Sequence, residues 1–216
     1  MRSLPFVMPT LAPALRALAA AFAVAAGPAT AAAQRGEPPL APFAAQKLSV
    51  MPAQLLRADT SAPLKPAGWA AARREIDDSI RTALYERGIG TKWSYASDIE
   101  RLAKRNSSYV SDPLALGVSQ LRGRALKADE PAPSMLVSNL RSLIALGDSR
   151  YALIPVELSF EGRGADAHAL LRVVVVDGRG GTIVFAIDVV VPAGGRFDAP
   201  RIGALAQRVA DLVIAR

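Results

Sequence analysis

Apolar residues recur along this chain at two spacings, about 3.6 and 2 residues, and each such stretch ends at glycine, proline or a capping residue. Between Gly68 and Gly88, Ala72, Ile76, Ile80, Ala83 and Leu84 fall on one helical stripe, with Arg73, Arg74, Asp77, Asp78, Arg81 and Glu86 on the face assigned to water. A further helix is expected from the stripe Leu136, Leu140, Leu143 and Ile144, ending at Gly147. The most regular stripe is the last: Ile202, Leu205, Ala206, Val209, Leu212 and Val213, started by Asp198 or Ala199 with Pro200.

The period of 2 is concentrated just before that last helix. Over Tyr151 to Phe160, Ile154, Val156, Leu158 and Phe160 alternate with Pro155, Glu157 and Ser159, which predicts one buried and one partly wet face. Gly162-Arg163-Gly164 supplies a turn into the apolar run His168 to Val176. Asp177-Gly178 then opens a second hairpin. On its far arm Ile183, Phe185, Ile187, Val189 and Val191 are assigned one face, and Val184, Ala186, Asp188 and Val190 the other. Gly194-Gly195 closes the sheet, and the last helix should cover this three-stranded antiparallel meander.

Earlier elements are shorter. Leu48, Val50 and Met51 predict a first strand, with Pro52 marking its end, and Arg57 to Pro66 reads as a loop. Thr91 to Ala96, with Trp93 and Tyr95, reads as a second strand. Ser97-Asp98-Ile99-Glu100 matches a capping box that starts a helix broken near Asn106 to Ser108. Ser111-Asp112-Pro113 offers another helix start, and Gly123 to Pro133 a loop. The fold class expected is α/β (α+β), a mixed sheet of about five strands covered by helices.

The N-terminus changes the picture of where the protein works. Arg2 and Arg16, the apolar stretch Ala17 to Ala26, and Ala31-Ala32-Ala33 before Gln34 match a cleaved signal peptide over residues 1–33. The apolar run is broken by Gly27 and Pro28, short of the roughly 20 residues a membrane span needs. Pro38, Pro39 and Pro42 mark residues 34–46 as a disordered tether, leaving 47–216 as one domain. A periplasmic or secreted location follows, with no transmembrane segment after cleavage. The chain has no cysteine, which excludes both a disulfide framework and an acylated thiol. Its formal charge is +7, and near +5 without Arg2 and Arg16.

The strand and turn residues carry a family resemblance. Leu146-Gly147-Asp148-Ser149-Arg150-Tyr151-Ala152-Leu153 leads from a helix into a strand, and Asp177-Gly178-Arg179-Gly180-Gly181-Thr182 joins the last two strands. With the element order, these resemble the amino-terminal domain of TolB and the related CsgG-like domains of bacterial envelope proteins, over about Lys47 to Arg216. Ser149 stands where the pattern has an alanine. The resemblance implies a non-enzymatic part of an envelope machine, docking to another envelope protein or to its own copies.

Candidate chemistry is sparse. His168, beside Asp166, is the only histidine, and no G-x-S-x-G elbow supplies a nucleophile for it. The acid pairs Asp77-Asp78, Asp98 with Glu100 and Asp129-Glu130 fit a helix face, a cap and a loop. No metal-ligand spacing is present, and neither Gly162-Arg163-Gly164 nor Gly178-Arg179-Gly180-Gly181 leads into a helix as a phosphate loop does. No catalytic, cofactor or metal residue is assigned.

Arg101, Lys104 and Arg105, and Arg122, Arg124 and Lys127, form basic clusters without interleaved aromatics, so nucleic acid is not expected. Contact with anionic envelope lipid or polysaccharide is one alternative role. A hydrolase or carbohydrate-active enzyme built around His168, Asp166 or the paired acids is another. Trp93 is assigned to the core. Trp69, Tyr85, Tyr95, Tyr109 and Tyr151 are left between core packing and a partner surface.

Overall fold

The computed structural model describes residues 37–58, 66–162, 166–192 and 199–215. The expected signal segment, Gly164 and Gly194-Gly195 lie outside them. Strands β1 (Leu48–Val50), β2 (Leu55–Ala58), β3 (Tyr151–Glu161), β4 (His168–Asp177) and β5 (Thr182–Pro192) form one mixed sheet, with helices α1 (Pro66–Glu86), α2 (Ala96–Arg105), α3 (Ser134–Leu146) and α4 (Ala199–Asp211). This is the α+β architecture expected, closed by its C-terminal helix. β3, β4 and β5 are the antiparallel meander. β1 and β2 lie end to end along the other side of β3, both parallel to it, Leu48 opposite Tyr151 and Leu55 opposite Glu157.

Helices cover both faces of the sheet. On one, Ile76, Ile80, Ala83 and Leu84 of α1 and Ile202, Leu205, Ala206 and Val209 of α4 pack with Leu153, Leu158, Leu171, Val173 and Val175. Full burial of Ile76, Ile80 and Leu84 contributes about 1.5–3 kcal/mol each. On the other, Ile99 of α2 and Leu136, Leu140, Leu143 and Ile144 of α3 pack with Ala152, Ile154, Val156, Val174 and Val176. β3 is therefore buried from Ala152 through Phe160, where one wet face was expected. A central strand between two helical layers has no solvent face.

Two bulges redirect the strands. The register slips between Pro155 and Glu157, so Ile154 and Val156 face α3 while Leu158 and Phe160 face the α1/α4 layer. In β5 it slips opposite Val175 and Val176, which sends Ile183 to the α3 side and leaves Phe185, Ile187, Val189 and Val191 on the other. The single shared face expected for Ile183 to Val191 is thereby split.

Other expectations are corrected by packing. Leu40 and Phe43, placed in a disordered tether, are buried. A short 3-10 turn spans Ala41–Phe43, and Leu40 N donates to Leu212 O at 2.7 Å, so order among the described residues precedes Lys47. Trp93 Nε1 donates to the carbonyls of Phe43 and Gln46, which fastens this segment to the core. Thr91 to Ala96 makes one parallel bridge, Ser94 to Ser49, and is not a strand. The N-cap of α2 is Tyr95, two residues upstream of the cap read at Ser97, and its N–H donates to the Asp98 carboxylate at 3.3 Å. After Ser111-Asp112-Pro113 only a 3-10 turn forms, at Val118–Leu121. β2 occupies the start of the expected loop, because Leu55 to Ala58 pair with β3.

The residues that carry the family resemblance form a close-packed junction. Ser149 Oγ lies 2.7 Å from Ser49 Oγ, and Gly178 N donates to Arg150 O. A Cβ on Gly178 would lie 2.1 Å from Ile144 Cδ1. Gly178→Ala is therefore expected to destabilise by about 1–2 kcal/mol through overpacking, read as a lower urea midpoint with an unchanged slope.

Candidate functional site

β5 is the outer strand of the sheet, and its backbone polar groups on the far side need a partner or water. Residues 129–132 cover only its start. Asp129 N donates to Ile183 O at 2.8 Å, Ile183 N to Glu130 O at 2.9 Å, and Ala132 N to Gly181 O at 2.9 Å. From Val184 to Val191, no described residue pairs with that side. Natural edges are guarded by lysine, proline or inward charges, and this stretch holds one charge, Asp188. That carboxylate is neutralised by Arg172, whose Nε and Nη2 each lie 2.7 Å from it. Val190 is 48% exposed, and Val184, Phe185 and Ile187 are only partly buried against the α1/α4 core.

Beside this edge, α3 stops short of the far half of the sheet, leaving a groove of about 480 Å³ lined by Arg57, Arg122, Glu157, Glu161, Arg172 and Asp188, among others. Its charges are mutually satisfied. Glu157 is 9% exposed and takes Arg122 through two bonds, Nε at 3.1 Å and Nη2 at 2.6 Å. Arg172 also donates to the carbonyls of Leu121 and Arg124, so the arginines tie the 121–124 loop onto the sheet. Arg57 pairs with Glu161 at 3.0 Å. The β3 bulge turns Glu157 to this face, which strict alternation along the strand does not reveal.

His168 and Asp166 do not form a catalytic pair. The imidazole Nδ1 lies 3.0 Å from the backbone carbonyl of Asp166, and Nε2 lies 3.7 Å from Glu161. Ser159 Oγ donates to the other oxygen of Glu161 at 3.2 Å, so the carboxylate stands between hydroxyl and imidazole. A triad needs the hydroxyl on the imidazole, and this order does not provide it. Among the described residues, no cluster of three or more His, Asp or Glu side chains is placed to hold a metal ion.

The acid pairs separate by environment. Asp98 accepts the N-cap N–H of α2 and pairs with Arg101. Asp129 and Glu130 lie along the β5 start, Glu130 bonded to Arg124 at 2.8 Å. Asp77 is half-buried and turned to the sheet rather than to open water. Its Oδ1 accepts the Ala53 N–H at 2.9 Å, at the corner between β1 and β2. Desolvation, with Glu100 and Asp78 adding repulsion, raises its pKa from the ordinary 3.8 to about 7, against lowering by the Ala53 bond and Arg73. Gln54 completes the corner, donating to Pro52 O and Pro113 O and accepting from Leu116 N. Asp177, in the second glycine turn, accepts the N–H groups of Arg179 and Gly180, both at 2.9 Å, so this loop is a hairpin turn.

Of the second basic cluster, Arg122 and Arg124 are held by Glu157 and Glu130. In the first, Arg101 is held by Asp98, while Lys104 and Arg105 are exposed in the last turn of α2. Trp93 and Tyr95 are core residues. Trp69, Tyr85 and Tyr109 are exposed, the last at 86%. Arg81 lies over the rings of Tyr85 and Tyr95, 5.3 and 5.7 Å from their centroids.

A scan against protein-family models finds no match, and a comparison with curated proteins finds none either. Solved structures give loose likenesses. The LpoB C-terminal domain from Salmonella enterica is 13% identical with a TM-score of 0.39, over 69% of this chain and 84% of that one. A PelC dodecamer from Paraburkholderia phytofirmans is 12% identical with a TM-score of 0.35, over 79% and 89%. Lipoprotein GNA1162 from Neisseria meningitidis is 15% identical with a TM-score of 0.36, over 77% and 94%. No helix among the described residues is long and apolar enough to cross a membrane.

Proposed function

We propose that this chain is an exported, non-enzymatic protein-binding or assembly module of the bacterial envelope, similar to TolB amino-terminal and CsgG-like domains, that docks through the open edge of β5. Residues 1–33 serve as its export signal, and the remainder acts as one domain. The observation that carries the reading is the edge itself: Val184 to Val191 leave their outer side unpaired among the described residues, with a single, already neutralised charge. Such an edge accepts an added strand through main-chain hydrogen bonds, with alternate side chains setting selectivity. The polar groove beside it has its charges paired internally, which favours a supporting role for those residues over catalysis or anion capture.

The test is a photo-reactive residue placed at Val190, compared with one at Tyr109, which is exposed on the α2–α3 side. In the periplasmic fraction Val190 is expected to give a discrete protein adduct and Tyr109 none. Equal labelling at both positions, or none at either, would reject docking through the edge. A chain confined to the cytosol would reject export.

A further inference from the structure

The edge points to its own occupant. Resting on the docking reading above, we infer that a second copy of this chain fills it, β5 against β5, antiparallel about a two-fold axis that crosses the sheet at Ile187.

A two-fold axis normal to the sheet keeps each face on its own side, so residues of one face meet residues of that same face in the partner copy. Few registers survive. Centring on Asp188 would set two carboxylates directly opposite, which is unfavourable. Centring on Val189 would bring Pro192, which has no N–H, against Ala186. Centring on Ala186 would run Val189 into Ile183, whose backbone is already bonded to Asp129 and Glu130. Centring on Ile187 places Asp188 opposite Ala186 and Phe185 opposite Val189. Its last regular pair is Val189 opposite Phe185, just before the bulge at Val184 and the covered start.

The chemistry of the edge also selects a partner like itself. Arg172 satisfies both oxygens of Asp188, so a charged peptide finds no free counter-charge along the strand. What remains to be covered is neutral, β-branched and aromatic: the half-buried Val184, Phe185 and Ile187 on the α1/α4 side and the exposed Val190 on the other. β5 is itself a neutral strand of this composition, and one pairing covers both copies at once. A single strand donated by another protein would cover only one.

The absence of cysteine from the chain makes the register testable with single thiols. Ile187→Cys puts two thiols at the symmetric position, where opposite Cβ atoms come within reach of a disulfide. Val190→Cys lies on the other face, past the last regular pair, and serves as the control. Sedimentation of the unmodified chain is expected to show its mass doubling with concentration. Mild oxidation should link the Ile187→Cys protein into dimers and leave the Val190→Cys protein single.

A monomer at every concentration would overturn the inference. So would a dimer that Val190→Cys links and Ile187→Cys does not. If the chain is monomeric but the photo-adduct at Val190 contains a different envelope protein, self-pairing falls and the docking reading stands. If neither adduct nor dimer forms, both fall.

Discussion

Replacing Asp77 by asparagine is expected to make the protein more stable above pH 7 and to leave its stability unchanged in mild acid. Burial raises the folded pKa of Asp77 above its unfolded value, so between the ordinary 3.8 and about 7 the folded chain holds a proton that the unfolded chain releases. In that window stability falls as pH rises. The contribution is full below the lower value and lost once pH passes the upper one. A shift of this size corresponds to a difference of about 4 kcal/mol between the two limits.

An asparagine Oδ1 can still accept the Ala53 N–H while carrying no charge to desolvate. Urea unfolding of both proteins from pH 4 to pH 8 would read the effect as a gap in midpoint that opens with pH. Parallel profiles would show that the carboxyl is not held neutral by the fold. Glu100, also raised by desolvation, remains in both proteins, and because it repels Asp77 its own contribution shrinks in the same direction when that charge is removed.

The second large effect is expected at Arg122. Arg122→Ala strands the Glu157 carboxylate, which has 11% of its side chain exposed and two bonds to this guanidinium. Breaking a buried ion pair from one side is costly because the remaining charge is left uncompensated. With the arginine partly in water, a loss of about 2 kcal/mol is expected. Glu157→Gln should cost less, since the freed guanidinium can turn to solvent. The double variant should recover much of the Arg122→Ala loss, and a double-mutant cycle on urea midpoints checks this. Additive losses would mean that Arg122 acts through the 121–124 loop alone.

These two residues mark where sequence reading stops. Asp77 lies on the polar side of its helix by spacing, one position from Ile76, and nothing local announces that Ala53 needs an acceptor there. The need arises because the edge strand breaks between β1 and β2 around Pro52, which has no N–H, and α1 crosses that break. Glu157 sits at an alternating position that would place it opposite Ile154 and Val156. One bulge carries it to the charged face and sends Leu158 and Phe160 to the α1/α4 core. A bulge is set by the competition of two helical layers for the same strand, information spread over more than 100 residues of chain.

The β5 edge was legible only in part. The run Ile183 to Val191 announces a strand, but whether that strand lies inside or at the rim of a sheet depends on what pairs with it. Only tertiary structure shows residues 129–132 stopping at Ile183. Leu40 and Phe43 show the reverse error. Their proline-rich surroundings argue against regular structure, and they have none beyond a 3-10 turn, yet they are anchored by Leu212 and Trp93 from distant parts of the chain.

What the chain alone determined is local: the helical stripes of α1, α3 and α4, the two hairpins of the meander, and the glycine junctions at Gly147 and Gly178. Each follows from steric and hydrophobic preferences within a few residues. Tertiary structure decided which faces are covered, where the strands bulge, which carboxylates lose water and which edge stays open. Burial and pairing are properties of neighbours brought together from far along the chain, and no window of sequence contains both partners.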